Sequence, residues 1–262
     1  MKKLIIANWK MNPETIADAR ALALSIEHRM HTIHITTDVV VCPPSIYLPP
    51  FSHYLHLAKL GAQNVSWAES GAYTGEISAK QLTQWGIEYI ILGHSERRIY
   101  FHENDKDVNL KIKMALKNKI HPIVCLGGEA GAKKTDMNKL VIKQLNAVTK
   151  DLTKDEIFKI IFAYEPVWAI STMKNSRPAT GDHAVELIEH IQTALGRKVG
   201  IERSKNMRIL YGGTVTKSNV NEFAKHPMID GALVGGASLD ADNFWEIVRE
   251  FSRESIHKEE MK

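Results

Sequence analysis

The chain has 262 residues, 34 basic against 30 acidic, a formal net charge of +4 and a hydrophobic fraction of 44%. So even a balance excludes the basic footprint of a nucleic-acid binder, and no apolar run is long enough to cross a bilayer or to form the core of a secretory leader. Two cysteines, Cys42 and Cys125, each end an apolar run and make no disulfide framework, so the expected compartment is the reducing cytoplasm.

Short apolar, β-branched runs recur along the chain, each followed by a stretch with helical spacing. The runs are Leu4–Asn8, Val39–Cys42, Lys59–Gln63, Tyr89–Gly93, Pro122–Leu126, Lys159–Glu165, Arg208–Tyr211 and Gly231–Val234. They are apolar nearly throughout, as parallel strands buried on both faces require. Between them, Ile16, Ala19, Ala23 and Ile26 share one helical face. Leu110, Met114 and Leu116 pack the fourth helix, and Leu140, Leu145 and Val148 the fifth. A further helical pattern runs from Asp182 to Leu195, and Phe244, Ile247, Val248 and Phe251 pack the last helix. Ser78, Thr216 and Asp240 stand where helix N-caps are expected. Eight strand–helix units predict a closed (β/α)8 barrel, and the absence of a linker predicts one domain over residues 1–262, with a charged tail from about 252.

In such a barrel the chemistry sits on the loops that follow the strands. Asn8 and Lys10 follow the first strand, and Gly93-His94-Ser95-Glu96-Arg97-Arg98 the fourth. Glu165 ends the sixth, immediately before Pro166, which cannot donate to a ladder. Tyr211-Gly212-Gly213-Thr214 and Val234-Gly235-Gly236-Ala237 close the seventh and eighth. An amide, an ammonium, an imidazole, a carboxylate and two glycine turns that can hold an anion on backbone N–H groups would share one mouth. After Pro166, the polar stretch Ser171–Ser176 has no core pattern and reads as a mobile lid. His28, His31 and His34 are evenly spaced, but no carboxylate or cysteine completes a metal set, and a surface face is expected.

These motifs, in order from Ala7-Asn8-Trp9-Lys10-Met11-Asn12 through Gly61-Ala62-Gln63-Asn64, Gly93-His94-Ser95-Glu96-Arg97-Arg98 and Ala163-Tyr164-Glu165-Pro166-Val167-Trp168 to Val234-Gly235-Gly236-Ala237-Ser238-Leu239, resemble the triosephosphate isomerase family from end to end. The resemblance implies interconversion of dihydroxyacetone phosphate and glyceraldehyde 3-phosphate on a TIM barrel, with no metal and no organic cofactor. It implies Glu165 as the base, His94 as a neutral imidazole that polarises the substrate oxygens, Lys10 and Asn8 as further substrate contacts, and Glu96 tying the site together. Backbone N–H groups of Ser171, Thr214, Gly235 and Gly236 would hold the phosphate, under a lid of Pro166, Val167, Trp168, Ala169, Ile170, Ser171, Thr172, Met173, Lys174, Asn175 and Ser176. In the family, the loop matching Trp67–Glu76 inserts into a second subunit, so a homodimer is expected, with Thr74 near the partner's site.

The chain departs from the family pattern at four places. The lid commonly reads Gly-Thr-Gly-Lys-Thr-Ala, whereas Ser171 and Met173 replace both glycines here. Arg177-Pro178-Ala179-Thr180-Gly181 lengthens the approach to the next helix. Glu129 stands one residue beyond the family's Cys-x-Gly-Glu position, and Thr214 replaces a common Ser. The altered lid keeps two other readings open: an isomerase of longer phosphorylated ketoses, and a phosphate-ligand binder without activity. A Schiff-base aldolase through Lys10 is a further alternative.

Overall fold

Runs of residues that are apolar on both sides can only be strands covered on both sides, and a closed barrel provides that cover. The computed structural model of the protein describes residues 1–32, 35–128, 136–166 and 179–260. Eight parallel strands close in sequence order: β1 Leu4–Asn8, β2 Asp38–Cys42, β3 Lys59–Ala62, β4 Tyr89–Leu92, β5 His121–Leu126, β6 Ile161–Tyr164, β7 Ile209–Tyr211 and β8 Gly231–Val234. The helices around them are α1 Ile16–Thr32, α2 Leu48–Phe51, α3 Ala79–Thr83, α4 Ser95–Tyr100, α5 Asp105–Lys117, α6 Met137–Val148, α7 Lys154–Phe158, α8 Gly181–Val199, α9 Ile201–Ser204, α10 Val220–Ala224 and α11 Ala241–Glu260. Among the described residues, none of them is long and apolar enough to cross a membrane.

The strand period of two divides the core. Leu4, Ile6, Val40, Cys42, Ile91, Ile123, Cys125, Ile161, Ala163, Leu210 and Leu233 fill the barrel interior as one cluster. Their neighbours in sequence, such as Ile5, Ala7, Val41, Val124 and Phe162, point outward into a larger cluster shared with the helices. The inward rows then run on to the mouth, so Asn8 follows Ile6, Glu165 follows Ala163 and Gly212 follows Leu210. The same alternation that builds the core thus delivers the polar groups. Both cysteines belong to the inner wall and are free, and burial pushes both thiols well above the ordinary value.

At the opposite end of the barrel the polar groups are closed off. Lys3 Nζ donates to the carbonyls of Ile229 at 2.6 Å and Pro227 at 3.1 Å, and lies 3.7 Å from Asp230. Asp230 accepts from the Ile209 N–H at 3.0 Å. Burial pushes the Asp230 carboxyl up, and Lys3 offsets this only in part. Gly231, paired with Leu4, has φ +144°, and a Cβ there would lie 1.8 Å from the Leu4 carbonyl oxygen. Barrel closure therefore depends on a glycine at that position.

Several expected boundaries move. The sixth strand starts at Ile161, not Lys159, because Thr153 and Glu156 form a capping box that winds Lys154–Phe158 into α7. Strands three and four stop one residue earlier than expected, at Ala62 and Leu92. Ile16 is 51% exposed, and the buried face of α1 is carried by Ala19, Leu22, Ala23 and Ile26. In α5 the buried stripe is Val108, Ile112 and Ala115, while Met114 and Leu116 flank it half-buried. Ser78 caps α3 with a capping box, and Asp240 caps α11 through the Asn243 N–H at 2.7 Å. Thr216 does not cap a helix; it opens a turn, and α10 starts at Val220. The last helix continues through the expected tail to Glu260.

Candidate active site

The mouth assembles from four strand ends. Asn8 ends β1, and its Oδ1 accepts the Lys10 N–H at 3.1 Å. This bond leaves the Asn8 amide nitrogen as the remaining donor. Lys10 adopts φ 53°, an uncommon conformation for a residue with a side chain. Gln63, from the end of β3, holds the Lys10 carbonyl at 2.8 Å and the Cys42 carbonyl at 2.8 Å with one amide nitrogen. Lys10 Nζ meets Glu96 Oε1 at 2.5 Å, which sets the height of the ammonium over the barrel.

His94 follows β4 and is the N-cap of α4. Its Nδ1 accepts the Glu96 backbone N–H at 3.2 Å. A ring nitrogen that accepts an N–H carries no proton, so the imidazole proton sits on Nε2. Nε2 faces the barrel axis and stands 3.2 Å from Glu165 Oε1. The second Glu165 oxygen accepts the Ser95 N–H at 2.9 Å. Glu165 is 1% exposed and His94 7%, so this contact is nearly dry. The carboxylate and the imidazole are thus in direct contact.

Opposite them lie the two glycine turns. A single cavity of about 310 Å³ is lined by Asn8, Lys10, His94, Glu165, Gly212, Gly213, Thr214, Gly235 and Gly236, together with Val215, Thr216, Leu233, Ala237 and Asn243. A Cβ at Gly212 would lie 2.9 Å from Glu165 Cγ, so the turn must be bare for the base to sit there. Below the mouth, buried Glu103 receives the Gly93 N–H at 3.1 Å and pairs with Arg97 and Lys111. Burial pushes the Glu103 carboxyl up, but Lys111 and Arg97 outweigh it and hold the carboxyl below the ordinary value.

Asn8, Lys10, His94, Glu165, Thr214, Gly235 and Gly236 therefore share one cavity, with Glu96 behind Lys10. Ser171, the rest of the lid from Val167 to Ser176, Arg177 and Pro178, Glu129 and His34 lie outside the described residues. Pro166 directly follows the base and is buried, Thr74 is exposed on its loop, and His28 and His31 are exposed on α1. Sequence reasoning missed the supporting groups: the Ser95 N–H, Gln63 and Asn243. Gln63 stands in the Gly61-Ala62-Gln63-Asn64 motif, but nothing in the motif shows that its amide reaches the Lys10 carbonyl. The other two were hidden because a backbone N–H carries no residue signature, and because Asn243 reaches the mouth only through packing of α11.

The arrangement can do one kind of chemistry well. A buried carboxylate faces a proton-bearing imidazole nitrogen, an ammonium and an amide, beside a cradle of backbone N–H groups. It can take a proton from a carbon next to a carbonyl while donors stabilise the oxyanion, in a small molecule that ends in an anion. The sequence model of the family described as triosephosphate isomerase matches residues 3–251. The triosephosphate isomerase of Alkaliphilus oremlandii (strain OhILAs) is 43% identical over 252 residues, covering 95% of this chain and 99% of that protein. That of Clostridium novyi (strain NT) is 42% identical over 252 residues, covering 95% and 98%. A triosephosphate isomerase from Bacteroides fragilis (strain YCH46) is 39% identical over 254 residues, covering 96% and 99%.

Proposed function

The chain belongs to the triosephosphate isomerase family and interconverts dihydroxyacetone phosphate and glyceraldehyde 3-phosphate; from that premise we propose how its own residues do so. Glu165 removes a proton from C1 of the ketone. His94 Nε2–H donates to the carbonyl oxygen, and Lys10 and the Asn8 amide hold the charge that develops there. His94 passes its Nε2 proton to O2, which becomes the hydroxyl, and takes up the proton of the O1 hydroxyl; the proton on Glu165 returns to C2, and C1–O1 becomes the aldehyde carbonyl. Thr214, Gly235 and Gly236, with Ser171 from the lid, bind the phosphate through backbone N–H groups. The lid spans Pro166 to Ser176 and excludes water during the transfer.

One observation carries this assignment: Glu165 and His94 meet at 3.2 Å in the cavity that both glycine turns line. Preorganised donors of this type replace a metal's charge stabilisation, so the mechanism uses neither metal nor organic cofactor. A coupled isomerase assay tests it. Glu165→Gln keeps the shape and loses the base, and turnover should fall by roughly 10³-fold or more. Full activity in that variant overturns the assignment.

The chain is further proposed to be one domain, to act in the cytoplasm and to form a homodimer through the loop carrying Thr74. What supports the dimer is the apolar surface beside that loop. Met11 is 90% exposed, Phe101 66% and Tyr100 61%, and all three line a cleft with Gly75 and Glu76 that reaches Lys10 and His94. Only active monomer in sedimentation at working concentration would overturn it.

A further inference from the structure

A phosphate cradle made of backbone N–H groups works only if the peptide planes that carry them are fixed. In a trans peptide the C=O and the following N–H point in opposite directions. A side chain that grips the carbonyl on one face therefore aims the N–H on the other.

Two side chains do this behind the cavity. Ser238 is fully buried, and its Oγ donates to the Gly235 carbonyl at 2.7 Å, beside its own N–H at 2.8 Å. The Gly236 N–H of that same peptide is turned the opposite way, and Gly236 lines the cavity. In the other turn, Asn219 Nδ2 donates to the Thr214 carbonyl at 3.0 Å, while its Oδ1 accepts the Thr216 N–H at 2.7 Å. The Val215 N–H is thereby turned away from Asn219, and Val215 lines the cavity. Asn219 occupies the N-cap of α10, where an asparagine ordinarily caps its own helix, yet its side chain makes no cap bond. Its amide is committed to the loop instead.

We propose that Ser238 and Asn219 are positioning residues for the phosphate subsite: Ser238 fixes the peptide plane that carries the Gly236 N–H, and Asn219 fixes the plane that follows Thr214 and carries the Val215 N–H, which joins the cradle beside that of Thr214. The proposal rests on the phosphorylated-triose reading given above. It makes the cradle a device of two independent holds, one on each loop. A backbone N–H that can rotate away from an anion loses most of its directional worth, whereas one held by a buried partner costs no reorganisation on binding.

The test compares two substrates in the full-length enzyme. Ser238→Ala and Asn219→Ala are assayed on glyceraldehyde 3-phosphate and, at high enzyme concentration, on unphosphorylated glyceraldehyde, and inhibition by inorganic phosphate is measured alongside. Each variant should lose roughly tenfold in kcat/KM on the phosphorylated substrate, with weaker inhibition by phosphate and little change on glyceraldehyde. The double variant should lose about 10²-fold, because the holds sit on separate loops. Equal losses on both substrates mean general damage to the site and overturn the proposal, as does an unchanged kcat/KM on the phosphate ester. Ser238→Ala removes one oxygen and keeps the packing, so it decides the matter alone if Asn219→Ala does not fold. A wild type inactive on triose phosphates would instead overturn the functional reading itself.

Discussion

The two ends of the barrel use buried polar groups in opposite ways. At the closed end, Lys3, Asp230 and the carbonyls of Pro227 and Ile229 satisfy one another, and Gly231 lets β8 close on β1. At the mouth, Glu165 and His94 touch each other at the edge of a cavity that both line. Polar groups at the closed end serve stability and have nowhere to go. Those at the mouth are equally buried but keep an open side, and that open side is what makes them reactive. The strands supply both ends with the same period of two; only the loops differ.

The comparison can be broken hardest at the closed end. Gly231→Ala places a methyl 1.8 Å from the Leu4 carbonyl oxygen on a backbone with φ +144°. A loss of about 4 kcal/mol or more is expected, seen as a collapsed melting temperature or insoluble protein. A near-normal melt would show that closure does not need this glycine. At the mouth, the matching change is Gly212→Ala. Its methyl would lie 2.9 Å from Glu165 Cγ and 3.2 Å from the Tyr164 carbonyl oxygen. Displacing the base by a fraction of an ångström should lower kcat/KM by roughly 10²-fold while the melting temperature moves far less. Equal damage to stability and rate would erase the distinction between the two ends. The smallest effect is the pH dependence of Glu103, between them. Its carboxyl is held below the ordinary value, so its contribution is present above the unfolded carboxylate range and is lost as pH falls through the folded one. Glu103→Gln should therefore melt below wild type at about pH 7, and the gap should narrow as pH drops below roughly 4. A gap that widens in acid contradicts this sign.

The sequence made the barrel legible because its strands are buried on both faces and leave long apolar runs. β1 and β8 begin and end where those runs do. Helix faces were harder to read, since each helix also touches its neighbours. Ile16 keeps helical spacing with Ala19 and Ala23 yet points to solvent, and the α5 stripe is rotated from Leu110 onto Val108 and Ile112. The reacting groups were legible because strand ends converge by topology alone. Their support was not: the Ser95 N–H on Glu165, the Gln63 amide under Lys10 and the Asn219 grip on Thr214 depend on turn geometry that residue types do not encode.

The mouth's chemistry comes down to whether a proton leaves carbon for Glu165 and returns. Isomerisation of dihydroxyacetone phosphate in deuterium oxide answers this directly, because in part of the turnovers a proton resting on a carboxylate is replaced by deuterium before it goes back. Wild type should give glyceraldehyde 3-phosphate carrying deuterium at C2, and Glu165→Gln should give neither product nor label at a comparable rate. Product formed by wild type with no deuterium at C2, or label and product undiminished in the variant, would contradict proton transfer through Glu165.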